Sequence, residues 1–211
     1  MGEGTKNVVL LDFWPSSFGM RQRIALALKG IEYEAREENL FDKSTLLLEM
    51  NSVHKKILVL IHNGNSICES LIILEYIDQV WHDKYPLFPS HPYERSQAGF
   101  WADYIDKKIY STGRKVWSGK GEDQEKAKKE FIEIFKTLEG ELGDKTYFGG
   151  DNLGFVDLAL TCANFSIEAE CPKLVAWAKR CMQIESVSNS LPHPHNIYAY
   201  VLELKHKLGL A

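Results

Sequence analysis

Apolar positions follow two regimes along the chain. Up to about residue 83, short apolar runs alternate with helical spacings, whereas beyond a Pro-marked break only helical spacing persists. Val8, Val9, Leu10 and Leu11 form a short run bounded by polar residues, which predicts a strand covered on both faces. Met20, Ile24, Ala27 and Leu28 then recur at helical spacing, and Gly30 follows as a stop signal. Ser16 or Ser17 is the expected N-cap. Ile31, Tyr33 and Ala35 alternate with charged residues, which predicts a second, edge or near-edge strand. Residues 43–51 carry Leu46, Leu47 and Leu48 and predict a short helix; Val59, Leu60 and Ile61 predict a third strand. Asn63-Gly64 suits a type I′ hairpin, which needs positive φ at both central residues, with Ser66 to Cys68 as the return strand. Ile73, Tyr76, Ile77 and Val80 give a core stripe to a helix opening at Glu69-Ser70.

The order βαβ, α, β-hairpin, α matches a thioredoxin-like α/β domain. Pro86, Pro89 and Pro92, three of the chain's seven prolines, then fall close together and read as a linker. The expected organisation is a domain over residues 1–83, a linker over 84–92 and an all-α domain over 93–211. Within the all-α domain, a long helix carries Phe100, Tyr104 and Trp117, and the next carries Phe131, Ile134, Phe135, Leu138 and Leu142. A third covers residues 155–163, and a fourth is opened by Pro172 at N1, where the missing N–H costs little. Tyr198, Val201, Leu202 and Leu204 mark a C-terminal helix.

With 211 residues the chain can build a sizeable core, and a net charge of −4 argues against a nucleic-acid surface. No apolar stretch is long enough to cross a bilayer, so no membrane partner is expected. Cys68, Cys162, Cys171 and Cys181 show neither CxxC nor zinc-ligand spacing, which predicts reduced thiols and no metal. The N-terminal MGEGTKN lacks the apolar core of a signal peptide, and a cytoplasmic location is expected.

The chemistry centres on the junction between the first strand and first helix. A helix N-terminus presents free N–H groups and the positive end of the helix dipole, which favour an anion or a thiolate. A hydroxyl from Ser16 would donate into that field; simple capping by either serine is the competing reading. Several segments carry a family likeness. FWPSSFGMR and NSVHKKILVLIHNGNSICESLIILEYID resemble the glutathione-binding domain of the plant tau-class glutathione transferases, and WADYIDKKIY and CPKLVAWAKRCM resemble that class's helical domain.

The resemblance implies a glutathione transferase fold that conjugates reduced glutathione to hydrophobic electrophiles in detoxification and stress responses, with glutathione peroxidase as a side activity. By matching position, Ser16 would hydrogen-bond the glutathione sulfur and stabilise its thiolate. Glu69 and Ser70 would hold the γ-glutamyl end, Lys43 and Lys56 would lie near the glycyl carboxylate, and the Ile57 backbone would pair with the cysteinyl part. Phe18 would wall the junction. Tyr110, Arg114 and Trp117 on one helix face, closed by Tyr200, Leu204 and Lys207, would line the hydrophobic pocket. A homodimer is implied, with Arg95, Glu75 and Asp78 as cross-subunit partners.

The chain also departs from the family pattern. Leu58 stands where the family has a cis proline, so the bond before it is either cis or is trans with the Ile57 backbone turned away from glutathione. Ser17, Thr45 and Ser52 replace prolines, loosening their segments through the unfolded state. Gly154-Phe155-Val156-Asp157 resembles the family's helix-start box, with Asp157 reaching back from N3. After Leu160 about 11 residues, roughly three turns, are missing, which predicts a shortened helix and an opened pocket wall. These departures leave room for two rivals. One is a catalytically weakened, ligandin-like protein that holds apolar ligands; the other is a thiol-disulfide oxidoreductase, which would need a cysteine where Ser16 and Ser17 stand.

Overall fold

A computed structural model describes residues 7–160 and 169–209. Its first compact unit comprises residues 1–86 and 189–200, and its second residues 87–188 and 201–211.

In the first unit, β1 (Val8–Asp12) lies inside a four-stranded sheet of order β2-β1-β3-β4. It runs parallel to β2 (Glu34–Glu37) and antiparallel to β3 (Val59–His62), which pairs antiparallel with β4 (Asn65–Cys68). Both inner strands are fully or nearly fully buried, as their unbroken apolar runs require. The turn between β3 and β4 has φ of 51° at Asn63 and 79° at Gly64, as the Asn-Gly pair predicts. α1 (Ser17–Leu28) and α3 (Ser70–Val80) pack against each other, α3 also meets β4, and Leu47 of α2 (Thr45–Met50) enters a cluster with Leu11, Val59 and Ile61.

Three expectations for this unit are corrected by the structure. β2 begins three residues later than the alternation suggested: Ile31 is buried ahead of the strand, whose four residues are all exposed. This is an edge strand held through its backbone. On α3 the buried stripe is Ile73, Leu74 and Ile77, while Val80 is exposed at the last turn. Asp78 does not wait for a second subunit, since it is buried and accepts from Lys29 Nζ at 2.9 Å. That ammonium also donates to the carbonyls of Trp81 and Tyr85 at 3.1 and 2.6 Å.

The second unit is helical: α4 (Pro92–Ser118), α5 (Gly121–Leu142), α6 (Phe155–Leu160), α7 (Pro172–Met182) and α8 (Glu185–Ser188). α9 (Pro194–Lys207) begins among the residues of the first unit and ends among those of the second. α4 buries Ala98, Ala102, Ile105, Ile109 and Thr112, so the larger Phe100 lies off its core stripe and is exposed. Asp157 organises α6. Its carboxylate accepts from Gly154 N at 2.8 Å, as the helix-start box predicts, and from Phe148 N, Gly149 N and Trp177 Nε1 at 2.9, 2.9 and 2.7 Å. Residues 161–163 of the expected third helix, and the site of the expected deletion, lie outside the described residues.

Candidate active site

The loop from Phe13 to Ser16 is a tight turn, with Ser16 N–H donating to the Phe13 carbonyl at 2.8 Å. Ser16 has extended backbone angles and is the N-cap of α1; its Oγ accepts from Gly19 N at 3.2 Å. An oxygen that accepts in this way keeps its own proton to donate. The first turn of α1 contains no acidic residue, so nothing on that turn opposes the positive end of the dipole. Tyr200 packs edge-on against Phe13 and Trp14, with ring centroids 5.7 and 5.6 Å apart, giving the loop an aromatic flank.

Glu69 and Ser70 lie at the N-terminus of α3. Glu69 is its N-cap residue by position but makes no side-chain cap bond, and its φ of 70° is unusual for a residue with a side chain. Backbone strain of about 1–3 kcal/mol persists where surroundings over-determine it, and it concentrates at ligand clamps. Here Ser70 is the fixed point: its Oγ accepts from Arg21 Nη1 at 2.8 Å and its carbonyl from Gln22 Nε2 at 2.6 Å. Both side chains are fully buried, so α1 and α3 are joined just behind Glu69, whose carboxylate stays exposed 4.0 Å from His54 Nε2. Phe18 is partly exposed, with its ring centroid 5.1 Å from the Arg21 guanidinium.

The loops on either side of α2 supply the cations. Lys43 is exposed and donates to the Lys55 carbonyl at 2.8 Å; Lys56 is exposed, with its carbonyl held by Asn51 Nδ2 at 2.8 Å. The Ile57–Leu58 peptide is cis, which decides between the two forms left open by the sequence. Glu38 fixes the neighbouring loop, accepting from Ser44 Oγ and Ser44 N at 2.6 and 3.2 Å. The three described cysteines are poor nucleophiles: burial pushes the Cys68 and Cys181 thiols up, and takes that of Cys171 to about 11.

Family models match both domains of the chain, "Glutathione S-transferase, N-terminal domain" over residues 6–79 and "Glutathione S-transferase, C-terminal domain" over residues 100–185. The chain is 80% identical to a Nicotiana tabacum protein, "Probable glutathione S-transferase parA", over 98% of this chain and 99% of that one. The chain belongs to the glutathione S-transferase family. Its class is tau: it is similar to the mango (Mangifera indica) tau-class transferase, at 38% identity and a TM-score of 0.89, over 95% of this chain and 99% of that one. It is also similar to rice GST1 solved in complex with glutathione, at 47% identity and a TM-score of 0.92 over 98% and 99%. The alignment with the tobacco relative spans 218 residues, more than the 211 of this chain, so some residues of that relative face a gap here.

In this transferase the residues expected to bind glutathione divide into three groups within the first unit. Ser16 and Phe18 belong to the start of α1, Glu69 and Ser70 to the start of α3, and Lys43, Lys56 and Ile57 to the loops around α2. Of the residues expected to line the hydrophobic pocket, Tyr200 flanks the Ser16 loop. Tyr110, Arg114 and Trp117 lie on α4 in the second unit, where Lys205 Nζ sits 5.7 Å from the Trp117 ring centroid. Leu204 is half-buried on α9, and Lys207 is exposed and paired with Glu203 at 2.7 Å. The sequence reading missed Arg21 and Gln22, whose partner lies 48 or 49 residues away. It also missed Asp12, although an acidic residue ending an otherwise apolar run was a visible signal. Among the described residues no group of three or more His, Cys, Asp or Glu could hold a metal ion. No described helix is long and apolar enough to cross a membrane.

Proposed function

We propose that this transferase conjugates reduced glutathione to hydrophobic electrophiles, without a metal, and that Ser16 donates a hydrogen bond to the glutathione sulfur and stabilises its thiolate. The observation that carries the proposal is the Ser16 hydroxyl, held by Gly19 N–H at the start of α1 with its proton free to donate. A thiol of ordinary pKa, about 8.5, is a minority thiolate at neutral pH, and a donor at a helix N-terminus lowers that value. Glu69 takes the γ-glutamyl ammonium, and Ser70 with the N–H groups of α3 takes its carboxylate. Lys43 and Lys56 attract the glycyl carboxylate, and Ile57 offers its backbone to the cysteinyl part. The aromatic flank of Phe13, Trp14 and Tyr200 favours an apolar second substrate. Phe18 walls the glutathione side of the junction, and Tyr110, Arg114, Trp117, Leu204 and Lys207 are the further residues that the family likeness assigns to the apolar substrate.

A homodimer acting in the cytoplasm, in stress responses and detoxification, completes this reading. Exposed Val53 and Ile72 in the first unit, and exposed Tyr93 and Phe100 in the second, offer apolar area for association. The ligand-holding rival is not favoured, because the relatives are named transferases. The oxidoreductase rival lacks its cysteine at α1.

Ser16→Ala tests the proposal. Calorimetric glutathione affinity should stay within about threefold, while turnover of an activated aryl chloride falls by about a hundredfold, the loss typical of one donor to a reacting anion. Unchanged turnover would remove Ser16 from the mechanism.

A further inference from the structure

Asp12 is the acidic residue at the end of an apolar strand, 5% exposed, and it meets both flanks of Ser16. On the N-terminal side its Oδ1 accepts from Phe13 N at 2.7 Å. On the C-terminal side its carboxylate occupies the space where Gly19 lacks a side chain: a Cβ there would lie 2.5 Å from Asp12 Cγ and 2.7 Å from Oδ2. Gly19 is the residue whose N–H holds Ser16 Oγ. Arg23, one turn further along α1, places Nε 3.6 Å from Asp12 Oδ2 and donates from Nη2 to the Trp14 carbonyl at 3.0 Å. The Trp14 N–H is held in turn by Glu37 Oε1 at 3.0 Å.

We propose that Asp12 is a positioning residue for Ser16: its carboxylate, through Phe13 N–H, the Gly19 backbone and Arg23, fixes the loop on both sides of the serine and so aims the hydroxyl at the glutathione sulfur. This rests on the role assigned to Ser16 above. An amide of the same shape could still accept from Phe13 and pack on Gly19. What needs the charge is Arg23, which spans from Asp12 to the Trp14 carbonyl. The groups facing Asp12 are Arg23 from α1, Glu37 from β2 and the Tyr33 phenol from the segment before β2. Burial, aided by Glu37, outweighs Arg23 and the Phe13 N–H and pushes the Asp12 carboxyl up to about 6. The ionised form is therefore held at neutral pH against its own desolvation, and acidification releases Arg23 within reach of ordinary assay conditions.

The test is Asp12→Asn in the full chain, assayed with glutathione and an activated aryl chloride. The expected result is a kcat lower by about tenfold with the glutathione Kd within about twofold, and a melting temperature at neutral pH no lower than that of the parent. Beyond the ionisation of the glutathione thiol, which both proteins share, the parent's kcat should show a further acid-side inflection at about 6 that is absent from the variant. Arg23→Lys, which keeps the charge but not the span, should lose kcat similarly, and it carries the test if Asp12→Asn does not fold. In Ser16→Ala/Asp12→Asn the Asp12 change should cost nothing beyond Ser16→Ala alone, because it acts through the serine. A kcat within about twofold of the parent in Asp12→Asn, an additive loss in the double variant, or kcat, affinity and melting temperature falling together would overturn the proposal. Ser16→Ala run alongside separates the two failures. Full turnover in it defeats the serine assignment and this inference with it, whereas its loss beside a fully active Asp12→Asn defeats the positioning role alone.

Discussion

Replacing Asp157 by Ala should unfold the second unit far more readily than a six-residue helix suggests. Its Oδ1 accepts from Phe148 N and Trp177 Nε1, and its Oδ2 from Gly149 N and Gly154 N. The residue is fully buried, so the alanine leaves buried donors without acceptors, at about 1–3 kcal/mol each. Part of that loss returns, because burial pushes the Asp157 carboxyl up even with four N–H donors around it, and the variant no longer desolvates a charge. The donors also share one carboxylate, so their losses do not simply add. The net expectation is about 3 kcal/mol, a large share of the roughly 5–15 kcal/mol that typically holds a domain together. Asp157→Asn keeps an oxygen for one pair of donors but turns an amide NH2 towards the other, and should lose about half as much. Urea unfolding followed by circular dichroism and by tryptophan emission, to which Trp177 contributes, measures both. A destabilisation below about 1 kcal/mol in Asp157→Ala would refute the reasoning.

Three further predictions concern the first unit. The Asp12 carboxyl rises from 3.8 to about 6 on folding, so its stabilising contribution is full below pH 3.8 and is lost as pH rises through 6. Asp12→Asn should therefore gain up to about 3 kcal/mol above about pH 7, with a flatter stability curve between about pH 4 and 7; an unchanged slope would contradict this. Lys29→Met leaves buried Asp78 without its ammonium and should cost about 3–5 kcal/mol in urea unfolding, against little change if the pair were exposed. Thr45→Pro fills N1 of α2, behind the Ser44 cap, and should stabilise by about 0.4–1 kcal/mol, with no rise in melting temperature counting against it.

What the sequence disclosed was local. The strand run at Val8 to Leu11, the Asn63-Gly64 turn, a serine cap at Ser16 or Ser17 and the reach of Asp157 to Gly154 are all set by residues within a few positions of one another. So they leave a readable pattern. The partners that fix the site are distant in the chain: Arg21 and Gln22 on Ser70, Lys29 on Asp78, Trp14 on Glu37. Nothing in a single sequence marks which carboxylate a lysine will meet, so the pairing of Lys29 with Asp78 is not legible there, and the family likeness alone assigns Asp78 to a subunit contact. β2 misled for another reason: an edge strand needs backbone partners on one side, so its residues need not alternate, and the buried Ile31 belongs to the turn before it.

Direct titration of bound glutathione is the measurement closest to the central claim. Followed through its ultraviolet thiolate absorbance, the complex of the parent protein should ionise about one unit or more below the reference thiol value of about 8.5, and the Ser16→Ala complex should return towards that value. Equal ionisation in the two complexes, with glutathione bound in both, would contradict the account.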